Sequence, residues 1–112
     1  MSDCLFCRIV KKEIPSKAAY EDPEVYAFHD INPQAPTHIL VIPKKHVAGV
    51  AELRKGEEAF VGRLITEANQ IADSLGLKGY RLVFNQGPEA GQSVSHLHLH
   101  LLAGRRMKWP PG

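Results

Sequence analysis

Long hydrophobic runs are missing from these 112 residues. No apolar stretch approaches the ~20 residues that a membrane-spanning helix needs, which excludes a helical membrane protein. Charge of one sign is not in excess either. The formal net charge is +2 and the basic residues are scattered, so nothing forms the electrostatic footprint expected of a nucleic-acid binder. The opening residues Met1-Ser2-Asp3-Cys4 lack the basic-then-apolar layout of a signal peptide. That predicts a cytoplasmic protein whose thiols stay reduced. Cysteine is scarce, with two residues. Internal repeats, linkers and low-complexity segments are absent, which leaves one domain over 1–112, long enough to bury a real core.

What is there begins with those cysteines. Cys4 and Cys7 form a Cys-x-x-Cys pair. A redox motif would want a thioredoxin-like strand before it, and only three residues precede Cys4. A structural zinc site would need two further ligands. Two small residues on the first turns of a helix are the third reading.

Periodicity then predicts the elements. Cys4 to Lys12 reads as a short helix with Leu5, Phe6 and Ile9 inward, stopped by Ile14-Pro15. Ala19 to Glu21, Val25 to His29, His38 to Ile42, Tyr80 to Asn85 and His96 to Leu102 read as strands. Glu57 to Leu75 is the main helix, with Leu64, Ile65, Ala68, Ile71 and Ala72 recurring at helical spacing and Gly76 just past the end. The short links between Val25–His29 and His38–Ile42, and between Tyr80–Asn85 and His96–Leu102, predict antiparallel pairing. The fold class is therefore α+β: a mostly antiparallel sheet of about five strands, one long helix and a short N-terminal helix.

The most informative run is Ser95-His96-Leu97-His98-Leu99-His100-Leu101-Leu102. On an extended chain, alternate residues point to the same side. Three imidazoles then share one face, while Leu97, Leu99 and Leu101 share the face that a core can take. Three of the chain's six histidines fall in five positions. Such crowding costs stability whenever they protonate, so it points to chemistry. Imidazole serves as nucleophile, proton carrier or metal ligand. Upstream, Gly87-Pro88-Glu89-Ala90-Gly91 is a glycine-rich turn of the kind that lets backbone N–H groups approach an anion.

The string from Gly91 to Leu102 matches the signature His-φ-His-φ-His-φ-φ, and the chain resembles the histidine triad (HIT) superfamily. Phe28 to His38, Val41 to His46 and the ending Gly104 to Gly112 are similar to its Hint branch. That resemblance implies a homodimeric nucleoside phosphoramidase, hydrolysing the P–N bond of purine nucleoside 5′-phosphoramidates, aminoacyl-adenylate-like substrates included. It implies that His98 is the nucleophile, that His100 hydrogen-bonds the phosphate, and that His38 and His96 support the site. Asp30 matches the ribose-binding carboxylate and Ile31 an apolar contact to the base, with Phe6, Ile9 and Phe28 completing the pocket. Ser93 matches a contact to the phosphate or the departing group and Asn85 another phosphate-side contact, and Gly91, Gln92 and Val94 are expected among the nucleotide-binding residues. The partners implied are AMP or GMP derivatives and a second copy of the chain, with no nucleic acid and no membrane.

Some relatives hold a structural zinc through a similar Cys-x-x-Cys, a histidine after the Ile-Pro strand and the first triad histidine. The matching residues are Cys4, Cys7, His46 and His96. Catalysis itself would need no cofactor. One departure is that Gly87 to Gln92 resembles the Fhit branch, which cleaves dinucleoside polyphosphates. That activity, a nucleotide-binding scaffold with incidental catalysis, and a metal-binding regulator are the rival readings. The intact triad with Ser93, Asn85 and Asp30 favours the enzyme.

Overall fold

In a computed structural model describing residues 3–112, the strands β1 (Ala18–Glu21), β2 (Val25–His29), β3 (Thr37–Pro43), β4 (Arg81–Val83) and β5 (Leu99–Ala103) form one antiparallel sheet. Their spatial order is β1-β2-β3-β5-β4. The helices are α1 (Leu5–Val10) and α2 (Glu58–Ser74). This is the α+β architecture the sequence predicts. No helix among the described residues is long and apolar enough to cross a membrane.

Alternation sorts the side chains onto two faces. On one, Val25, Ala27, Ile39, Val41, Leu97, Leu99 and Leu101 pack against Leu64, Ala68, Ile71 and Ala72 of α2. On the other, Tyr26, Phe28, Leu40 and Ile42 pack under Phe6 and Ile9 of α1. Burial on both faces explains why β3 is an almost unbroken apolar run. β5, the last strand in sequence, lies between β3 and β4, pairing Leu40 with His100 and Val83 with His100.

Several boundaries differ from the sequence expectation, each for a local reason. α1 ends two residues before Lys12 because Lys12 adopts a left-handed conformation (φ 67°). The Glu13 N–H then closes onto Arg8 O in a Schellman-type turn, in a place glycine usually fills. Leu5, expected inside, is 43 % exposed. α2 starts at Glu58 and ends at Ser74, with Gly76 at φ 70° and the Leu77 N–H on Ala72 O. β4 is confined to three residues, Arg81 to Val83. β5 starts at Leu99, not His96. Its partner β3 stops at Pro43, which has no N–H to offer. The Leu97 N–H instead donates to Val47 O at 2.6 Å, drawing residues 96–98 off the ladder.

Candidate functional site

The three triad histidines share a side, yet the fold gives each a different neighbourhood. His96 is fully buried. Its Nε2–H donates to Pro43 O at 2.9 Å, which leaves Nδ1 as a lone pair. That lone pair faces Cys4 Sγ at 3.3 Å, Cys7 Sγ at 3.6 Å and His46 Nδ1 at 3.2 Å, and Cys7 Sγ stands 3.3 Å from His46 Nδ1. All four ligand atoms lie within 4.8 Å of one another. Bond lengths of ~2.3 Å to sulfur and ~2.0 Å to nitrogen make the edges of a zinc tetrahedron roughly 3.3–3.8 Å. The separations fit a small tetrahedral cation, and an inward-turned set of two sulfurs and two ring nitrogens is what zinc takes. Cys4 also caps α1, accepting from the Cys7 N–H. Burial, the largest influence, pushes the His96 imidazole below its ordinary range, and the neutral form is the one that can ligate.

His98 turns the other way. Its Nδ1–H donates to His96 O at 2.7 Å, so its Nε2 is the free lone pair. Phe6 meets the ring edge-on at 5.1 Å and His100 lies 4.9 Å away.

His100 is set by a chain of bonds. The Gln34 N–H donates to His38 Nδ1 at 3.0 Å, so the His38 proton is on Nε2. That Nε2–H donates to His100 Nδ1 at 2.9 Å, which puts the His100 proton on Nε2. His100 Nε2 is buried and, among the described residues, the only buried side-chain nitrogen or oxygen with no partner. An orphaned N–H of this kind is a donor held ready for an acceptor. Asp30 Oδ2 lies 3.5 Å from His38 Nε2. Asp30, His38 and His100 are close enough to surround a metal, but His38 would have to give up its Nε2 proton or its bond to Gln34. The group reads as a proton chain. Burial, then the neighbouring imidazoles His98 and His38, hold His100 down to about 4, and Asp30 opposes this only in part. His38 is lowered too, chiefly by burial. Both rings are neutral at pH 7.

A cleft of about 220 Å³ opens beside these rings. His98, His100, Ser93, Val94, Asp30 and Ile31 line it; Phe6, Ile9, Phe28 and Leu40 give it apolar walls. Ile31 is 98 % exposed, at the rim. The sequence-derived contacts therefore divide. Asp30, Ile31, Ser93, Val94, His98 and His100 line the cleft, whereas Asn85, Gly91 and Gln92 do not. The Gln92 side chain is engaged elsewhere. Its Oε1 accepts from the Gly87 N–H, and its Nε2 donates to Ala48 O and Val94 O. Gly49 permits that approach, since a Cβ there would stand 2.5 Å from Gln86 Oε1 and 3.3 Å from Gln92 Nε2. Gly91 ends a 3-10 turn at φ 95°. His38 stands behind His100, and His96 belongs to the cysteine cluster. Sequence reasoning passed over Ile14, Pro15 and Ser16, which also line the cleft. The Ile-Pro helix stop was their one signal, and it says nothing of a cleft. It also passed over Gln34, which acts through its backbone.

A HIT domain model matches residues 11–107. A protein of Zea mays called a 14 kDa zinc-binding protein is 54 % identical, over 99 % of this chain and 89 % of its own length. A 14 kDa zinc-binding protein of Brassica juncea is 50 % identical, over 98 % of this chain and 100 % of its own. Among solved structures, a HIT family hydrolase from Legionella pneumophila superposes with a TM-score of 0.95 at 48 % identity, covering 98 % of this chain and 100 % of that one. The histidines on one face of an antiparallel sheet, the extent of the domain match and these near full-length relatives lead to one conclusion: the chain belongs to the HIT family.

Proposed function

We propose that this protein is a nucleoside phosphoramidase of the Hint type, hydrolysing the P–N bond of purine nucleoside 5′-phosphoramidates through a nucleotidyl intermediate on His98. The observation that carries the reading is the pair of fixed tautomers. The His98 Nδ1–H is held by His96 O, so in the neutral ring the lone pair is on Nε2, while the unpartnered Nε2–H of His100 is a donor beside it. A nucleophile and a phosphate-oxygen donor are thus preset side by side, in keeping with preorganised electrostatics. Relatives bearing the name HIT family hydrolase support hydrolysis as the reaction class.

In this reading the α-phosphorus sits between His98 Nε2 and the amine. The nitrogen lone pair forms a bond to phosphorus as the P–N bond to the amine breaks, and the amine leaves after taking a proton from solvent. Water then attacks the same phosphorus and gives up a proton to solvent. The P–Nε2 bond breaks, its electron pair returns to His98, and the nucleoside monophosphate departs. Two displacements replace one difficult step. Asp30, an acceptor-only group, takes the ribose hydroxyls, and Phe6, Ile9 and Phe28 take the base. Cys4, Cys7, His46 and His96 would hold a structural zinc that braces the site from behind and takes no part in the chemistry. A second copy of the chain completes the assembly as a homodimer.

The test is turnover on a panel of purine and pyrimidine phosphoramidates and dinucleoside polyphosphates. The expected outcome is a preference for purine phosphoramidates. His98→Ala should lower kcat about a thousandfold or more while mass spectrometry finds no nucleotidylated protein. Wild-type preference for dinucleoside polyphosphates, or near wild-type hydrolysis by His98→Ala, refutes the reading.

A further inference from the structure

The cleft has a polar group at the end away from the triad. Ser16 lines it together with Leu5, Phe6, Ile9, Ile14, Pro15 and His29. Its hydroxyl lies 2.6 Å from the Tyr26 hydroxyl. Tyr26 is buried and stacks on Phe28, with centroids 5.5 Å apart and planes at 24°. Phe28 meets Phe6 edge-on, and Phe6 meets His98. An aromatic floor thus runs from the proposed nucleophile to Tyr26.

Register gives the reach. Tyr26 pairs with Ile42, and Val41 pairs with Leu99. His98 and Tyr26 therefore lie on strands or strand extensions two positions apart, about 10 Å at ordinary inter-strand spacing. A phosphate held at His98 and a ribose at Asp30 would carry the base over Phe28, with its far edge toward Ser16.

We infer that the Ser16 hydroxyl, aimed by Tyr26, donates a hydrogen bond to a ring acceptor on the far edge of the purine and sets which purine the cleft prefers. The inference rests on the nucleotide reading above and adds a specificity residue to it. The direction of the Tyr26–Ser16 bond follows from acid strength: a phenol is the better donor and an alcohol the better acceptor. The Lys12 ammonium, 4.5 Å over the Tyr26 ring, draws electron density from the phenol and favours the same direction. With its oxygen accepting from Tyr26, Ser16 has its own proton to give. Ser16 is half-buried, and that proton is free for a ligand. A base offering an acceptor there binds with the bond made, and a base offering a donor there sets two donors against each other, which is the costlier error.

The test is calorimetric binding of AMP, GMP and IMP to the wild type, Ser16→Ala, Ser16→Thr and Tyr26→Phe, alongside phosphoramidate turnover with one amine and the same three bases. The wild type should separate the best from the worst purine by about threefold to tenfold. Ser16→Ala should shrink that spread below about twofold, Ser16→Thr should restore it, and Tyr26→Phe should fall between them. A spread untouched by Ser16→Ala, or absent in the wild type, overturns the inference. Collapse of the binding spread in a protein that hydrolyses no phosphoramidate would support Ser16 as the base reader and refute only the reaction. Failure of the wild type to bind any of the three overturns both.

Discussion

Asp22 shows how one side chain can tie three segments together. It accepts from the Glu24 and Val25 N–H groups at 2.7 and 2.8 Å and from the Tyr20 hydroxyl at 2.8 Å, and it pairs with Arg63 of α2. Burial is the largest single influence on its carboxyl and pushes the other way, but these bonds together hold it down to about 2. The folded value lies below the unfolded one, near 3.8. The unfolded chain therefore takes up the proton first as pH falls, and the stability from Asp22 is full above about pH 4 and lost on the way to 2. His100 has the same sign at higher pH. Its folded value of about 4 lies below an ordinary 6.5, so its contribution fades as pH falls from 6.5 toward 4. Urea midpoints across the pH range should decline in these two successive windows. Asp22→Asn should cost roughly 1–3 kcal/mol at pH 7 and remove the lower decline only. A midpoint flat from pH 7 to 4.5 would contradict a neutral, buried His100.

At the scale of elements, α1 is six residues long, too short to stand alone. Its position rests on Phe6 and Ile9 against β2 and β3, and on the Cys4–Cys7–His46–His96 cluster. The same cluster holds the extended run before β5, whose His96 carbonyl accepts from His98. A cation there would join the helix that walls the cleft to the segment that orients His98. Protein purified without added metal or a histidine tag should carry about one zinc per chain. Chelation, Cys4→Ser or Cys7→Ser should lower the melting temperature, by roughly 4–8 °C for each kcal/mol lost, and should weaken nucleotide binding. Metal-free material with reduced thiols and an unchanged melting temperature would dismiss the zinc.

For the whole molecule, the ending raises the question of a second copy. Trp109 is 82 % exposed, although the segment is anchored by Arg81 donating to Lys108 O and Arg105 donating to Gln34 O. The latter bond reaches the residue whose N–H orients His38. β4 is a three-residue edge strand open to pairing. If the chain pairs with itself as proposed, a tail that crosses to the partner would touch the leaving-group side of its ligand. Deleting Met107 to Gly112 should then reorder phosphoramidates that differ in their amine, while sedimentation still finds a dimer. An unchanged ranking, or monomers, would assign Trp109 to the interface alone.

What the linear chain determined is what local periodicity can encode. Val25 to His29 alternates, so β2 matches its expected bounds. α2 carries a helical stripe and a terminal glycine, so it falls within a residue of its expected ends. The leucines and histidines between 96 and 101 divide onto opposite faces because an extended backbone leaves them no other arrangement. Resemblance supplied the roles on top of that pattern. The rest depended on groups distant in sequence. β5 lies between β3 and β4, and Pro43 ends its ladder from more than fifty positions away. Gln92 is expected among the nucleotide-binding residues, yet its amide is committed to Ala48, Gly87 and Val94. Ile14-Pro15 reads as a helix stop and, with Ser16, becomes a cleft wall once Tyr26 lies beside it. Which histidine nitrogen carries the proton was settled by the Gln34 N–H and the carbonyls of Pro43 and His96. Backbone groups carry no sequence signature of their own, so only folding could bring them to the rings they orient.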